Sequence, residues 1–162
     1  MVFTKEGDCM NERAIRQLGK SMGLSFEEMK TILNAMLSVY PMIVFANLTK
    51  NTYSLVRNEQ FLCNEVMNTG RYDDLIDDNV ENIHENYQAL FLDCFSRERL
   101  LKSFQEGKTE IYAELHQKNK DGAYCWVSTQ VIKVEDASGD VCHLCLNRVI
   151  DGIVKEKHNR RK

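Results

Sequence analysis

Three groups of residues in this chain are of types and spacings that could do chemistry. Cys142-His143-Leu144-Cys145 sets two thiols three residues apart around a histidine, a donor set open to zinc or redox chemistry. On a strand, however, residues three apart point to opposite faces, so the two thiols cannot easily grip one ion. Ordinary strand residues are the expectation. Asp73, Asp74, Asp77, Asp78 and Glu81 could hold a cation. They lack the alternating spacing and central glycine of a calcium loop, and read as a solvated helical face. Arg148 is the third case: alternation along the last strand puts it on one face with Leu144, Leu146 and Ile150. A guanidinium turned toward an apolar interior is costly unless paired. A small anionic ligand, such as a carboxylate, would pair it bidentately. The alternatives are an internal partner, Glu65 or Asp74, or a stem that carries its tip to water. No Gly-rich phosphate loop, Gly-x-Ser-x-Gly elbow or His-Glu-x-x-His occurs, so catalysis finds little support and the protein is not read as an enzyme.

The elements that must position these groups are well marked. Along Thr109 to Gln117, Ile111, Ala113, Leu115 and Gln117 align on one side, and Tyr112, Glu114 and His116 on the other. This is the alternation of a half-buried strand. Lys120-Asp121-Gly122 supplies a hairpin turn. Tyr124 to Val134 follows as a second strand, with Cys125, Val127, Thr129 and Val131 opposite Trp126. Asp136 to Asp140 makes the next turn, and Val141 to Ile150 returns as the third strand.

Upstream, Met10, Ala14, Ile15, Leu18 and Met22 predict a short amphipathic helix ended by Gly23. Ser25 and Glu28 predict a capping box on a second helix, with Phe26, Met29, Ile32, Leu33, Met36, Leu37 and Tyr40 on its apolar stripe, stopping before Pro41. Met42 to Asn47 and Thr52 to Val56 read as a hairpin. Residues 57 to 106 read as a less regular helical middle ending at Gly107. Blocks of strands and helices, rather than strict alternation, argue an α+β fold with an antiparallel sheet.

The 162 residues suffice for one domain with extensions and a real core. A net charge of −3 gives no reason to expect nucleic acid as a partner. No apolar run is long enough to span a membrane, and the first residues lack the apolar core of a secretory signal. Six cysteines without such a signal read as reduced thiols in a cytoplasmic protein, or in the cytoplasmic part of a membrane protein.

The order of two strands, a helical middle and a three-stranded meander resembles the PAS domain. Lys120-Asp121-Gly122, Trp126-Val127, Glu135-Asp136 and Gly139-Asp140 are similar to that family's "KDG…WV…ED.G" signature. Phe45 to Tyr53 resembles the first hairpin of PAS domains in bacterial signalling proteins, and Arg97-Glu98-Arg99-Leu100-Leu101 the helix after the family's His-Pro-Glu-Asp turn. That turn is absent here, and Val149-Ile150-Asp151 stands in place of the family's terminal Asp-Ile-Thr. The resemblance implies a five-stranded antiparallel sheet over residues 41–152, N-terminal flanking helices over 1–40 and the start of a linker helix over 153–162. It further implies a bacterial regulatory sensor or interaction module that passes a signal to an output domain, of the diguanylate cyclase or histidine kinase type, or to a partner protein. A pure dimerisation module with a filled cleft, or a small ligand-binding protein or enzyme, is the alternative.

The expected ligand-binding set is Ile111, Ala113, Leu115, Gln117, Val127, Thr129, Leu144, Leu146 and Arg148. In flavin-binding relatives, side chains at the positions of Gln117, Val127 and Arg148 contact the ligand. No cofactor is expected. Asn58 to Cys63 only superficially resembles the flavin-attacking segment of light sensors, and His84 lies in too polar a run for a haem ligand. The helical stripe predicts a homodimer through the N-terminal helices, packed on the outer sheet face around Trp126.

Overall fold

The computed structural model describes residues 3–4, 8–9, 12–61 and 68–153. Met10, Cys63, Glu65 and the linker helix beyond Ile153 lie outside them. A short antiparallel pair, β1 (Phe3–Thr4) and β2 (Asp8–Cys9), precedes helices α1 (Glu12–Met22) and α2 (Phe26–Leu37). The hairpin β3 (Met42–Asn47) and β4 (Thr52–Asn58) comes next, then β5 (Thr69–Arg71), α3 (Tyr72–Val80), α4 (Glu85–Phe95) and α5 (Arg97–Gln105). The meander β6 (Glu110–Lys118), β7 (Tyr124–Glu135) and β8 (Val141–Val149) closes the fold.

The sheet is antiparallel throughout, in the order β5-β4-β3-β8-β7-β6. It has six strands rather than the expected five. The extra edge strand, Thr69-Gly70-Arg71, is too short and too poor in apolar residues to show an alternation. β8 pairs with β3 on one side and β7 on the other, so the last of the described strands lies at the centre of the sheet.

Local chemistry explains the element ends. Ser25 accepts the Glu28 backbone N–H while Glu28 accepts the Ser25 N–H, so the expected capping box is present. Gly23 ends α1 at φ +69°, a conformation open to glycine. In the β6–β7 turn Gly122 has φ +79°, and Asn119 Oδ1 accepts the N–H groups of Asp121 and Ala123. Asn51 donates to Asp73 at 2.6 Å and accepts the Asp73 N–H, which ties the β3–β4 turn to the start of α3.

Both faces of the sheet are covered. On the outer face α1 and α2 bury Ala14, Ile15, Leu18, Met29, Leu33 and Leu37 against Ile43, Phe45, Val56, Cys142, Leu144 and Leu146. On the inner face α3, α4 and α5 contribute Tyr72, Leu75, Phe91, Phe95, Leu100 and Phe104, packed over Val44, Ala46, Leu115, Val127 and Val131. The expected packing of α1 and α2 around Trp126 is therefore corrected. Trp126 instead stacks on His116 at 5.1 Å and meets Tyr87 edge-on at 5.4 Å, at the β6 side of the sheet. The end of β8 is fixed to β7: Asp151 Oδ1 accepts the Trp126 N–H at 2.8 Å, and the Ile150 N–H bonds the Trp126 carbonyl. Among the described residues no helix is long and apolar enough to cross a membrane.

Candidate functional site: a cavity under the inner face

Between the inner face and helices α3 and α4 lies a cavity of about 40 Å³. Its apolar wall is Met42, Val44, Leu75, Ile76, Phe91, Phe95 and Val131, and its polar wall is Tyr72, Asn79, Gln117, Thr129, His143, Cys145 and Asn147. β8 supplies three of these through alternation: His143, Cys145 and Asn147 face inward, opposite Ala46, Val44 and Met42 of β3. Leu144 and Leu146 consequently face α1 and α2.

Several polar groups are bonded within the protein. Tyr72 Oη donates to the Phe95 carbonyl at 2.9 Å, and Asn79 Nδ2 to the Leu75 carbonyl at 2.7 Å. Asn147 donates to the Met42 sulfur and accepts from the Cys145 thiol. His143 differs. It is fully buried, and among the described residues neither Nδ1 nor Nε2 meets a partner at hydrogen-bond geometry, the Leu144 backbone exerting only a weaker pull that opposes burial in its titration. Its nearest ring is Tyr72, edge-on at 5.3 Å. The Gln117 and Thr129 side chains are also buried and line the cavity.

Burial governs the titration of these groups, because it penalises the charged form. It pushes His143 down to about 3 and Cys145 up to about 12, and it raises Tyr72 well above the usual tyrosine value. The cavity is therefore lined by neutral groups at neutral pH.

The expected ligand set divides. Gln117 and Thr129 line the cavity. Ala113, Leu115 and Val127 belong to the same inner core, with Ile111 packed at its margin. Leu144 and Leu146 do not; they are part of the outer core. Arg148 is exposed on the outer side, beside Leu37, Val39, Pro41 and Glu59. The sense of alternation in β8 is thus opposite to the expected one. Helices cover both faces of the strand, so the apolar pair Leu144 and Leu146 does not mark the cleft, and the cleft side carries the more polar set. Asp74, one internal partner considered for Arg148, instead pairs with Arg71 at 3.5 Å.

The alternation of β8 instead brings His143, Cys145 and Asn147 to the cavity, and residues of other elements outside the expected set, among them Met42, Tyr72 and Asn79, also line it. Cys142 and Cys145 lie on opposite faces, Cys142 in the outer core and Cys145 on the cavity. His84 is half-buried rather than solvent-exposed: its Nδ1 accepts the Asn86 N–H at the start of α4, and its ring meets Tyr124 and His116. Asp73 and Asp74 sit near Arg71. Among the described residues no group of three or more His, Cys, Asp or Glu is placed to hold a metal ion.

The hairpin, the helical middle and the meander returning beside the first strand define a PAS-like α+β fold. No family model and no curated protein matches the chain. Among solved structures it is similar to a sensory box histidine kinase/response regulator from Burkholderia thailandensis E264, at 12% identity, covering 80% of this chain and 92% of that one, with a TM-score of 0.48. It is similar to the N-terminal domain of a diguanylate cyclase with PAS/PAC sensor from Marinobacter aquaeolei, at 17% identity over 71% of this chain and 97% of that one, with a TM-score of 0.41. A light-oxygen-voltage domain studied with a flavin analogue is similar at 14% identity over 80% of this chain and 96% of that one, with a TM-score of 0.42.

Proposed function

We propose that this chain is the regulatory sensor module of a cytoplasmic bacterial signal-transduction protein, without enzymatic activity of its own. A small molecule in the inner cavity shifts the sheet, and the flanking segments pass the change to an output domain or partner protein as a shift between conformational populations. The observation that carries this reading is His143. A fully buried imidazole with two unpartnered nitrogens is costly in a structural core, and here it faces a cavity rather than packed side chains. The anionic ligand expected from Arg148 loses its anchor, because Arg148 lies on the other side of the sheet.

The test is native mass spectrometry of the purified chain, joined to a thermal-shift screen of acids, bases and neutral compounds. A retained molecule, or one that raises the melting temperature by mass action, supports the reading. A protein that carries none and responds to none contradicts it.

The small cavity volume, about 40 Å³, favours a second reading, a dimerisation module whose cleft is nearly filled. Met29, Leu33 and Leu37 are buried against their own sheet, so a homodimer through the N-terminal helices would use the exposed Met22, Ile32 and Val39. Light scattering on the full chain and on Ile32→Glu tests it. A dimer mass that falls to monomer in the variant supports this interface, and an unchanged mass excludes it.

A further inference from the structure

We infer that His143 anchors a subsite for a small uncharged molecule that both donates and accepts hydrogen bonds, of the size of a short primary amide. The inference rests on the reading of the inner cavity as the sensing site, and it names the class of ligand.

Hydrogen-bonding capacity comes first. A neutral imidazole offers one N–H donor and one lone-pair acceptor, and on His143 neither meets a partner at hydrogen-bond geometry among the described residues. The neighbouring Tyr72 hydroxyl is not a donor to them, since its proton goes to the Phe95 carbonyl. Asn147 is occupied by Met42 and Cys145. A molecule carrying a carbonyl or hydroxyl oxygen together with an N–H or O–H can satisfy both ring nitrogens. A hydrocarbon satisfies neither.

Charge comes second. The imidazole stays neutral at physiological pH because burial opposes its protonation. Among the described residues no Asp, Glu, Lys or Arg lines the cavity. An anion or a cation would therefore lose its hydration without gaining a counter-charge from them.

Size comes third. The 40 Å³ of free space accommodates on the order of three water-sized spheres and falls well short of the roughly 150 Å³ cavity that holds a benzene ring. A molecule of about four heavy atoms fits the upper limit. Water alone is the competing occupant, since a polar cavity of this size can hold ordered water.

Acetamide and acetate separate these possibilities, because they share a shape and differ in charge. The full 162-residue chain is prepared with ¹⁵N-labelled histidine, and the imidazole nitrogens are followed by NMR while each compound is added at neutral pH. His143 signals are assigned by their loss in His143→Phe, with His143→Leu as a second variant of different shape.

The expected result is a saturable shift of the His143 nitrogens with acetamide, at a dissociation constant on the order of millimolar for so few heavy atoms, and no matching shift with acetate. Backbone amide shifts around the cavity should follow the same titration in the wild type and vanish in both variants. A response to acetate as strong as to acetamide overturns the inference. So does an acetamide response that survives in the variants, or no response to either compound, which leaves water as the occupant. A molecule of another class that stabilises wild type and His143→Phe equally in the broad screen removes this subsite and keeps the sensing function. A screen without any ligand removes both.

Discussion

The two faces of the sheet are built from the same strands and yet differ in kind. On the outer face Ile43, Phe45, Leu144 and Leu146 meet Ile15, Leu18, Met29 and Leu33, and the contact is apolar throughout. On the inner face the same β3 and β8 turn Met42, Val44, His143, Cys145 and Asn147 toward a cavity. The outer face has the composition of a core whose task is stability. The inner face gives up part of that stability to keep unpartnered polar groups out of water. Such groups are where function is to be sought.

The contrast is sharpest under large-to-small substitution of the outer face. Phe45 is 2% exposed, and Phe45→Ala should destabilise by about 3–5 kcal/mol, read from urea or guanidinium melts. A loss below about 1 kcal/mol would mean that the outer face is not the tight core described.

The next effect belongs to the inner face and depends on pH. His143 has a folded-state pKa of about 3 against an ordinary 6.5. Between those values the unfolded chain binds the proton and the folded chain does not. The contribution is therefore fully present above about pH 6.5 and is lost as pH falls toward 3, with a slope approaching about 1.4 kcal/mol per pH unit. Tyr72, raised by the same burial, stays neutral throughout this window. Melts at stepped pH should show the decline in the wild type and a flatter profile in His143→Phe. Parallel profiles would remove His143 from the account.

A smaller effect sits at the edge of the outer cover. Ser25→Ala removes the side-chain half of the capping box on α2 and should cost about 1 kcal/mol. Ligand response in the cavity should be unchanged. The smallest effect is that of Arg148→Leu. Exposed and remote from the cavity, it should stay within about 0.5 kcal/mol of wild type, with no change in response to any compound in the thermal-shift screen. A lost response would put Arg148 back in the site.

The sequence shows much of the fold for identifiable reasons. Alternation in β6 and β7 is clean because their outward positions are polar, such as Glu114, Ser128 and Gln130, so Gln117, Val127 and Thr129 are placed on the right side. The Ser25–Glu28 box and Gly122 act through local backbone chemistry and need no tertiary context. β8 is different. It is central, helices cover both its faces, and Cys142, Leu144 and Leu146 on one side are as apolar as any cleft-facing set would be. Hydropathy cannot give the sense of alternation in a strand buried on both faces. The signal that could have done so is the short spacing of His143, Cys145 and Asn147, moderately polar residues at every second position of one strand. Tyr72, Leu75, Ile76 and Asn79 reach the cavity through the helical spacing of α3, in a segment whose most conspicuous pattern is the acidic one of Asp73, Asp74, Asp77 and Asp78.

The central claim is that the inner face, and not the outer one, receives the molecule the domain senses. Amide and methyl chemical-shift mapping with a compound from the thermal-shift screen tests it most directly. Shifts should concentrate at Tyr72, Thr129, His143, Cys145 and Asn147, with Ile43, Phe45 and Leu144 scarcely moved. Shifts concentrated on Ile43, Phe45, Leu144 and the α1–α2 pair, with His143 and Thr129 unchanged, would contradict it.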